Sequence, residues 1–238
     1  MIIIQYINFQ VLCKLAIIDL ILILVFLKLI QIRTKISVII PTFNRGKLIG
    51  KSIKSVLNQT LQNLEIIIID DGSTDDTKKQ VEKIQDERIK YIKLQNNTGG
   101  SNARNVGIDI ASGQFISFQD SDDIFYFDKL EKQLKNIYNK KSHLDFCKIN
   151  VIYNNSFHYI VPNKEREKRL EKGNFHNELV HHGNFISTQS IVVKRSFIKK
   201  YKFDPNMPRM QDYDIILNNY IYQLKWSYLT KKHSIFIL

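Results

Sequence analysis

The stretch LEIIIIDDGS, residues 64–73, places four consecutive isoleucines directly before two aspartates, a glycine and a serine. A short apolar run of β-branched residues that ends at turn-forming residues predicts a strand buried on both faces. Strands of this kind are typical of parallel sheets that helices cover on both sides. The polar residues then follow the carboxyl end of the strand, which is where such sheets bind ligands.

The same pattern repeats on both sides of this stretch. Three further apolar runs predict strands: KISVIIP (35–41), IKYIKL (89–94) and QFISFQ (114–119). The segments between them predict helices: GKLIGKSIKSVLNQT (46–60), DDTKKQVEKIQDE (75–87) and TGGSNARNVGIDIAS (98–112). This alternation predicts an α/β fold with a mostly parallel sheet flanked by helices. The polar clusters PTFNR (41–45), DDGS (70–73) and QDSDD (119–123) should then meet along one edge of the sheet.

The composition describes a globular protein with a basic surface. Of the 238 residues, 44% are hydrophobic and 24% charged, and the formal net charge is +12. Such a charge favours an anionic partner, although a solvated basic surface explains it equally well. Because the chain has neither a dense basic run nor an aromatic RNA-binding motif, we expect no nucleic-acid partner. Cys13 and Cys147 lie far apart, which indicates neither a zinc site nor a disulfide framework.

The N-terminal segment is strongly apolar. Residues 11–32 are long enough to span a bilayer, but they include Lys14, Asp19 and Lys28. A signal anchor or interfacial helix, a spurious or poorly ordered extension and a soluble core helix all remain open. We predict an apolar N-terminal helix within residues 1–34, followed by one catalytic domain at residues 35–238. The basic residues after the apolar segment favour a cytoplasmic location for the catalytic domain. The protein would lie at a membrane through residues 11–32, as a single-pass or peripheral protein, or would otherwise be free in the cytoplasm.

Three carboxylates follow the fourth predicted strand within four residues. Asp120 and Asp122 share a face if the backbone there is extended. A divalent cation would relieve their repulsion, and Mg²⁺ or Mn²⁺ held by one or two carboxylates commonly binds substrate phosphates as well. The alternative is that these aspartates form a turn and cap the next helix.

Two other polar positions have similar alternatives. Asp70 or Asp71 can accept hydrogen bonds from a base or a ribose, or can form an Asx turn before the next helix. Arg104 follows the Gly99-Gly100 turn near a helix N-terminus, which suits an anionic phosphate. A surface ion pair would also explain this arginine.

Taken together, the motifs resemble a known family. The segments ISVIIPTFNRGKLIGKSIKSVLNQTLQNLEIIIIDDGSTDDT and NTGGSNARNVGIDIASGQFISFQDSDD, with KFDPNMPRMQDYDIILNN further along, resemble family 2 glycosyltransferases in their order and spacing. The resemblance covers about residues 35–225 and implies the Rossmann-like GT-A fold. Three features depart from the commonest pattern and blur the subfamily: Gln211 in place of an acidic residue, Asn218-Asn219 in place of an arginine, and Phe127-Asp128 in place of a proline.

The resemblance implies a role for each matching residue. The first nucleotide-binding loop corresponds to Pro41, Thr42 and Asn44, the base-reading pair to Asp70 and Asp71, the arginine after the glycine-rich turn to Arg104, the ribose and metal carboxylates to Asp120 and Asp122, and the catalytic base to Asp212. It implies inverting transfer from a nucleotide sugar, usually a UDP-sugar, to a hydroxyl of a glycan or lipid-linked acceptor, assisted by Mn²⁺ or Mg²⁺. A non-catalytic module that only binds nucleotide sugars is the alternative.

Overall fold

The computed structural model describes residues 17–18, 34–153, 156–172, 175–181, 186–207, 211–221 and 225–237. The chain divides after Thr34, and the fold described below belongs to the second unit, Lys35–Leu238. The predicted apolar helix of residues 1–34 and the predicted membrane contact through residues 11–32 lie, apart from Ile17, Ile18 and Thr34, outside the described residues. Within the described part of the chain, no helix combines the length and apolarity needed to cross a bilayer.

The first half of the second unit alternates strands and helices as predicted. Its elements are β1 (Ile36–Thr42), α1 (Gly46–Leu57), β2 (Leu64–Asp70), α2 (Thr77–Glu82), β3 (Ile89–Lys93), α3 (Gly100–Ile110) and β4 (Phe115–Phe118). The strands β3, β2, β1 and β4 lie side by side in that order and are parallel. Their carboxyl ends therefore share one edge of the sheet.

The second half is less regular. It contains β5 (Ile124–Phe125), α4 (Lys129–Lys140), β6 (Leu144–Tyr153), β7 (Ser156–Val161), α5 (Lys164–Glu171), α6 (Phe175–His181), a 3₁₀ turn (Thr188–Ser190), β8 (Ile191–Lys194), α7 (Arg195–Ile198), α8 (Gln211–Ile221) and β9 (Trp226–Ile237). After β4 the sheet continues with β8, β6, β9 and β5, while β7 pairs with β6. The pairs β4–β8, β8–β6, β9–β5 and β6–β7 are antiparallel, whereas β6–β9 is parallel.

The prediction of a mostly parallel sheet is thus correct for the first four strands and wrong for the whole, which is a mixed sheet flanked by helices. The physical reason is that β5 to β9 do not pair in the order in which helices connect them. The hairpin β6–β7 joins neighbours in the chain, whereas β4–β8, β8–β6, β6–β9 and β9–β5 join strands far apart in the chain, and such pairs can run in either direction.

Alternate residues of the central strands point to opposite faces and build two apolar clusters. On one face, Ile39 and Ile67 pack with Ala103 and Ile108 of α3. On the other face, Val38 and Ile66 pack with the helix α1, whose residues Ile49, Ile53 and Val56 are fully buried. Burial of each isoleucine side chain stabilises the folded state by about 1.5–3 kcal/mol relative to leaving it exposed. The continuous apolar runs in the sequence arise because helices cover both faces of these strands.

The helix α3 lies unusually close to β1. A Cβ atom added at Gly107 would come within 2.5 Å of the Ile39 side chain, so the position requires glycine. This close packing holds α3 against β1. The first turn of α3, at Gly100, lies at the carboxyl edge of the sheet.

Candidate active site

A cavity of about 290 Å³ opens at the carboxyl edge of the parallel strands. Its walls come from the ends of β1 and β2, the first turn of α3 and the loop after β4. The lining residues are Pro41, Thr42, Phe43, Arg45, Asp71, Gly100, Ala103, Arg104, Asp120, Ser121 and Asp122. The structure thus brings six of the predicted site residues around one space: Pro41, Thr42, Asp71, Arg104, Asp120 and Asp122.

The loop after β1 forms one wall of the cavity. Thr42 accepts a backbone hydrogen bond from Asp71 at 2.8 Å, which joins the ends of β1 and β2. The Thr42 hydroxyl is buried and has no hydrogen-bond partner among the described residues. Asn44 adopts a left-handed conformation, with φ 52°, and does not line the cavity. Its side-chain oxygen accepts hydrogen bonds from the backbone of Thr74 and Asp75 at 2.9 and 3.3 Å, so it fastens this loop to the next.

The two aspartates at the end of β2 differ in their surroundings. Asp70 is fully buried, does not line the cavity, and accepts hydrogen bonds from the Ser73 backbone at 2.7 Å and from the Tyr91 hydroxyl. Burial and this hydrogen bond to Asp70 raise the pKa of Tyr91. Asp70 therefore shapes the turn after β2.

Asp71, in contrast, lines the cavity. Its Oδ1 accepts hydrogen bonds from the backbone and the hydroxyl of Thr98, both at 2.8 Å, and its Oδ2 accepts one from the Gly99 backbone at 2.7 Å. The carboxylate thereby holds the glycine turn before α3 against the end of β2. Of the predicted base-reading pair, only Asp71 borders the cavity.

Arg104 connects three parts of the chain. Its Nη2 donates to Asp120 Oδ1 at 2.7 Å and its Nη1 donates to Gln211 Oε1 at 3.3 Å. The guanidinium also lies 5.7 Å from the ring centroid of Phe203, within the range of a cation–π contact. Glycine at position 100 leaves room for this side chain, since a Cβ there would stand 3.1 Å from Nη1.

Two neighbouring carboxylates after β4 each pair with a different arginine, which reduces the repulsion between them. Asp120 pairs with Arg104, and Asp122 pairs with Arg45 at 3.5 Å between Nε and Oδ2. The side chains of Asp120 and Asp122 remain 28% and 31% exposed, on the cavity wall. Asp123 is 2% exposed and does not line the cavity. Only two of the three carboxylates are therefore placed to meet a ligand.

The donor set at the cavity suits a hard divalent cation. Among the described residues, no group of three or more histidine, cysteine or acidic side chains is arranged to hold a metal by itself. Mg²⁺ and Mn²⁺ do not require such a group, because they commonly take one or two carboxylates and complete their shell with phosphate oxygens and water. Asp120 and Asp122 fit this requirement.

Asp212 lies in the first turn of α8 and is partly exposed. It is not among the residues that line the cavity. Its neighbour Gln211 contacts Arg104, which does line the cavity, so the start of α8 is tied to the cavity rim. The structure thus brings the distant segment that carries Asp212 next to this edge of the sheet.

Sequence reasoning did not assign several lining residues, namely Phe43, Arg45, Gly100, Ala103 and Ser121. Arg45 is the most important, because it supplies the second positive charge at the cavity. Its signal was present in the PTFNR cluster, but a lone arginine after a strand does not reveal which carboxylate it will meet. The Gln211–Arg104 contact, which spans 107 residues of chain, has no local signal at all.

Comparison with known proteins gives a family match. The family model described as glycosyl transferase family 2 matches residues 37–201, which is more than half of the chain. An uncharacterized glycosyltransferase of Rickettsia conorii is 51% identical over 121 residues, covering 49% of this chain and 20% of that protein. The GalNAc(5)-diNAcBac-PP-undecaprenol beta-1,3-glucosyltransferase of Campylobacter jejuni is 53% identical over 92 residues, covering 37% of this chain and 30% of that protein. The matched stretches thus span less than a third of either relative.

Solved structures support the fold. Residues 1–349 of S. aureus TarS in complex with UDP-GlcNAc superpose with a TM-score of 0.73 at 24% identity, covering 86% of this chain and 58% of that chain. At this identity the likeness concerns the fold alone. The sheet flanked by helices is accordingly the GT-A arrangement that the sequence implies.

Proposed function

Because this chain belongs to glycosyl transferase family 2, a family of transferase enzymes, we propose that it moves a sugar from a nucleotide diphosphate sugar to an acceptor hydroxyl with inversion at the anomeric carbon. The observation that carries the proposal is the cavity at the carboxyl edge of the sheet. Two arginines and three carboxylates border it, one of the carboxylates at the end of β2 and two in the loop after β4. This combination suits a polar nucleotide joined to a diphosphate.

The donor that we propose is a UDP-sugar. A protein with the same fold, TarS, has been solved with UDP-GlcNAc. Asp71 borders the cavity and holds the turn at Thr98 and Gly99, which supports a role in reading the base beside that turn. Pro41 and Thr42 would form the neighbouring wall of the nucleotide pocket, with Asn44 fixing their loop from behind.

The diphosphate would lie near Arg45 and Arg104, since their guanidinium groups are the cations in the cavity lining. Charged hydrogen bonds from arginine to phosphate are strong and geometrically specific. Asp120 and Asp122 would hold Mn²⁺ or Mg²⁺, and Asp120 would also contact the ribose. When bound, the metal would neutralise negative charge on the departing diphosphate.

Asp212 is the general base of the proposal. A base must lie within hydrogen-bond reach of the acceptor hydroxyl whose proton it takes. The hydrogen bond between Gln211 and Arg104 supports this placement, because it holds the first turn of α8 beside the residue that also contacts Asp120. Asp212 would take the proton while the acceptor oxygen attacks the anomeric carbon, and the nucleoside diphosphate leaves from the opposite side.

The acceptor class is proposed from a relative. The C. jejuni protein is named for a substrate that contains undecaprenol, a lipid-linked glycan. We extend this class to the present chain, which would then work at the cytoplasmic face of a membrane, with residues 11–32 as the candidate for membrane contact.

The proposal is tested with the full chain, Mn²⁺ and a panel of radiolabelled UDP-sugars, using polyprenyl-diphosphate-linked glycans as acceptors. Label that moves to the lipid-linked acceptor with at least one donor, and only with divalent metal, is the expected result. If the chain binds UDP but neither transfers the sugar nor hydrolyses the UDP-sugar, the result would indicate the non-catalytic alternative. Failure to bind UDP or any UDP-sugar would contradict the donor assignment.

A further inference from the structure

The third carboxylate of the loop after β4 has a partner far away in the chain. Asp123 is 2% exposed, and its Oδ2 accepts a hydrogen bond from Gln189 Nε2 at 2.5 Å. Gln189 is fully buried in the 3₁₀ turn Thr188–Ser190, directly before β8. The Ser187 hydroxyl donates to Gln189 Oε1. Both ends of the Gln189 amide are therefore fixed, with the donor directed at Asp123.

The backbone of the same loop is fastened at two further points. Gln119 Nε2 donates to the Asp123 carbonyl at 2.5 Å, and the Ser52 hydroxyl donates to the Asp120 carbonyl at 3.0 Å. The Asp123 backbone N–H donates to the same Asp120 carbonyl at 3.1 Å. Asp120 and Asp123 are thus held from beneath by buried groups. Asp120 and Asp122 nevertheless present their carboxylates to the cavity.

Because Asp123 is buried, its hydrogen bond to Gln189 favours one conformation of the loop. A buried carboxylate must be hydrogen-bonded, because leaving it without donors costs far more than leaving a neutral group unpaired. If the loop moved, Asp123 would lose the amide of Gln189. The loop therefore has one favourable position, and the two cavity carboxylates share it. Mutation of outer groups that orient metal ligands typically costs about 10–100-fold in metal affinity.

We propose that Gln189 and Asp123 are positioning residues that hold Asp120 and Asp122 in place for the metal and the nucleotide. Neither residue touches the ligand; they act through the loop between them. The identity of the ligand rests on the proposed function, whereas the ordering of the loop does not. Of the three carboxylates in the motif, two thus face the proposed ligand and the third holds the loop in place.

The test exchanges donor and acceptor. Four variants of the full chain are compared with the parent: Asp123→Asn, Gln189→Glu, the double variant, and Gln59→Leu as a control. Asp123→Asn removes the acceptor charge, and Gln189→Glu places two carboxylates face to face. In the double variant the new amide can donate to the new carboxylate, so the hydrogen bond reforms in reverse. Gln59 is an equally buried glutamine whose amide holds the segment at Tyr126 and Leu130, away from the cavity.

Two measurements decide the outcome. The dissociation constant of UDP in saturating Mn²⁺ should rise about 10–100-fold in each single variant. In the double variant it should be at least about tenfold lower than in the single variants. Amide hydrogen exchange of peptides covering residues 119–126 should be faster in the single variants and slower again in the double variant. The control Gln59→Leu should lower the midpoint of thermal unfolding and leave the UDP dissociation constant unchanged.

Single variants that unfold at lower temperature but bind UDP as the parent does would overturn the inference, because the pair would then serve stability alone. A double variant that binds no better than the worse single variant would also overturn it. If the parent itself binds no UDP, the proposed function fails, and hydrogen exchange still decides whether the pair orders the loop: exchange unchanged in both single variants refutes the inference, and exchange restored by the double variant supports it.

Discussion

The two edges of the parallel sheet each carry carboxylates, and their environments differ sharply. At the carboxyl edge, the side chains of Asp120 and Asp122 are 28% and 31% exposed, and each pairs with one arginine. At the opposite edge, the Glu65 side chain is 3% exposed. Its oxygens accept hydrogen bonds from the hydroxyls of Ser37 and Ser112 at 2.6 and 2.7 Å, from the Ser112 backbone at 2.7 Å and from the ammonium of Lys90 at 2.8 Å.

A carboxylate that serves the fold differs from one available to a ligand in which groups its oxygens contact. Burial alone would raise the pKa of Glu65, but the hydrogen bonds from Lys90, Ser37 and Ser112 outweigh it and hold that pKa well below its ordinary value. Glu65 joins β1, β2, β3 and the end of α3, and its acceptor capacity is used by the protein. The carboxylates of Asp120 and Asp122 lie on a cavity wall, and each pairs with one arginine of the same cavity lining.

Loss of the proposed base at the carboxyl edge should impair the protein most. Asp212→Asn should reduce sugar transfer about 10²–10⁴-fold, because it removes the general base. UDP binding should be unchanged, since Asp212 does not line the cavity. Transfer and UDP binding are measured on the same preparations. Asp214→Asn, in the same turn of α8, is the matched control and should keep most of the activity; the reverse result would reassign the base to Asp214.

The next effect concerns binding at the same edge. Asp122→Asn keeps the shape of the side chain but loses the charge that a divalent cation requires. UDP binding in Mn²⁺ should weaken about 10–100-fold, while UDP binding in EDTA should stay the same. Calorimetric titration under both conditions provides the measurement. The control is Asp109→Asn, which removes an exposed carboxylate paired with Lys202, outside the cavity lining. Equal weakening with and without metal would argue against Asp122 as a metal ligand.

The opposite edge should respond in stability rather than binding. Glu65→Gln removes the charge that Lys90 contacts and leaves buried donors poorly matched, at a cost of about 1–3 kcal/mol in the free energy of unfolding. Urea unfolding at pH 7 measures this loss, and UDP binding should be unaffected. Because the folded-state pKa of Glu65 lies below its ordinary value of 4.5, its contribution is present above that pH and is lost as the pH falls further. The difference in stability between parent and variant should therefore shrink in acid.

Much of this first half of the fold could be predicted because its signals are local. In β2 the run Ile66–Ile69 is apolar because helices cover both faces, and the aspartates come directly after it. The strand β6 is different. It pairs with β8 and with β9, which lie far along the chain, and its sequence LDFCKINVIY mixes polar and apolar residues. Pairing of that kind depends on contacts that no short window of sequence contains.

The site shows the same limit at the level of single side chains. The pattern of strand ends was enough to expect that the clusters containing Asp71 and Asp122 meet at one edge, and the family resemblance added Arg104; the cavity lining contains all three. Neighbouring residues at a strand end point in opposite directions, so only one of Asp70 and Asp71 can face the cavity. The motif does not show which of the two it is. It also could not show that Asp123 turns inward to Gln189, since that choice depends on a residue 66 positions away.

A second buried carboxylate, at Asp145, contrasts with Glu65, and its substitution should change the stability least. Asp145 in β6 is fully buried and accepts hydrogen bonds from Ser227, Gln133 and Asn136, at 2.6, 3.0 and 2.6 Å. These donors are neutral, whereas Glu65 contacts a lysine ammonium. Burial therefore prevails and raises the pKa of Asp145 to about 7, against the hydrogen bonds and the more distant charge of Lys129.

Between its ordinary value of 3.8 and about 7, the folded protein thus keeps a proton on Asp145 that the unfolded chain has lost. This proton contributes stability that is fully present below the ordinary value and is lost as the pH rises through the folded-state pKa. Asp145→Asn cannot titrate, so the parent should lose about 1 kcal/mol relative to the variant between pH 6 and 7. Urea unfolding of both proteins at pH 5, 6 and 7 measures the difference, in which the histidines common to both cancel. Parallel pH profiles would mean that Asp145 is ionised throughout, and that neutral donors stabilise a buried carboxylate here as well as lysine does at Glu65.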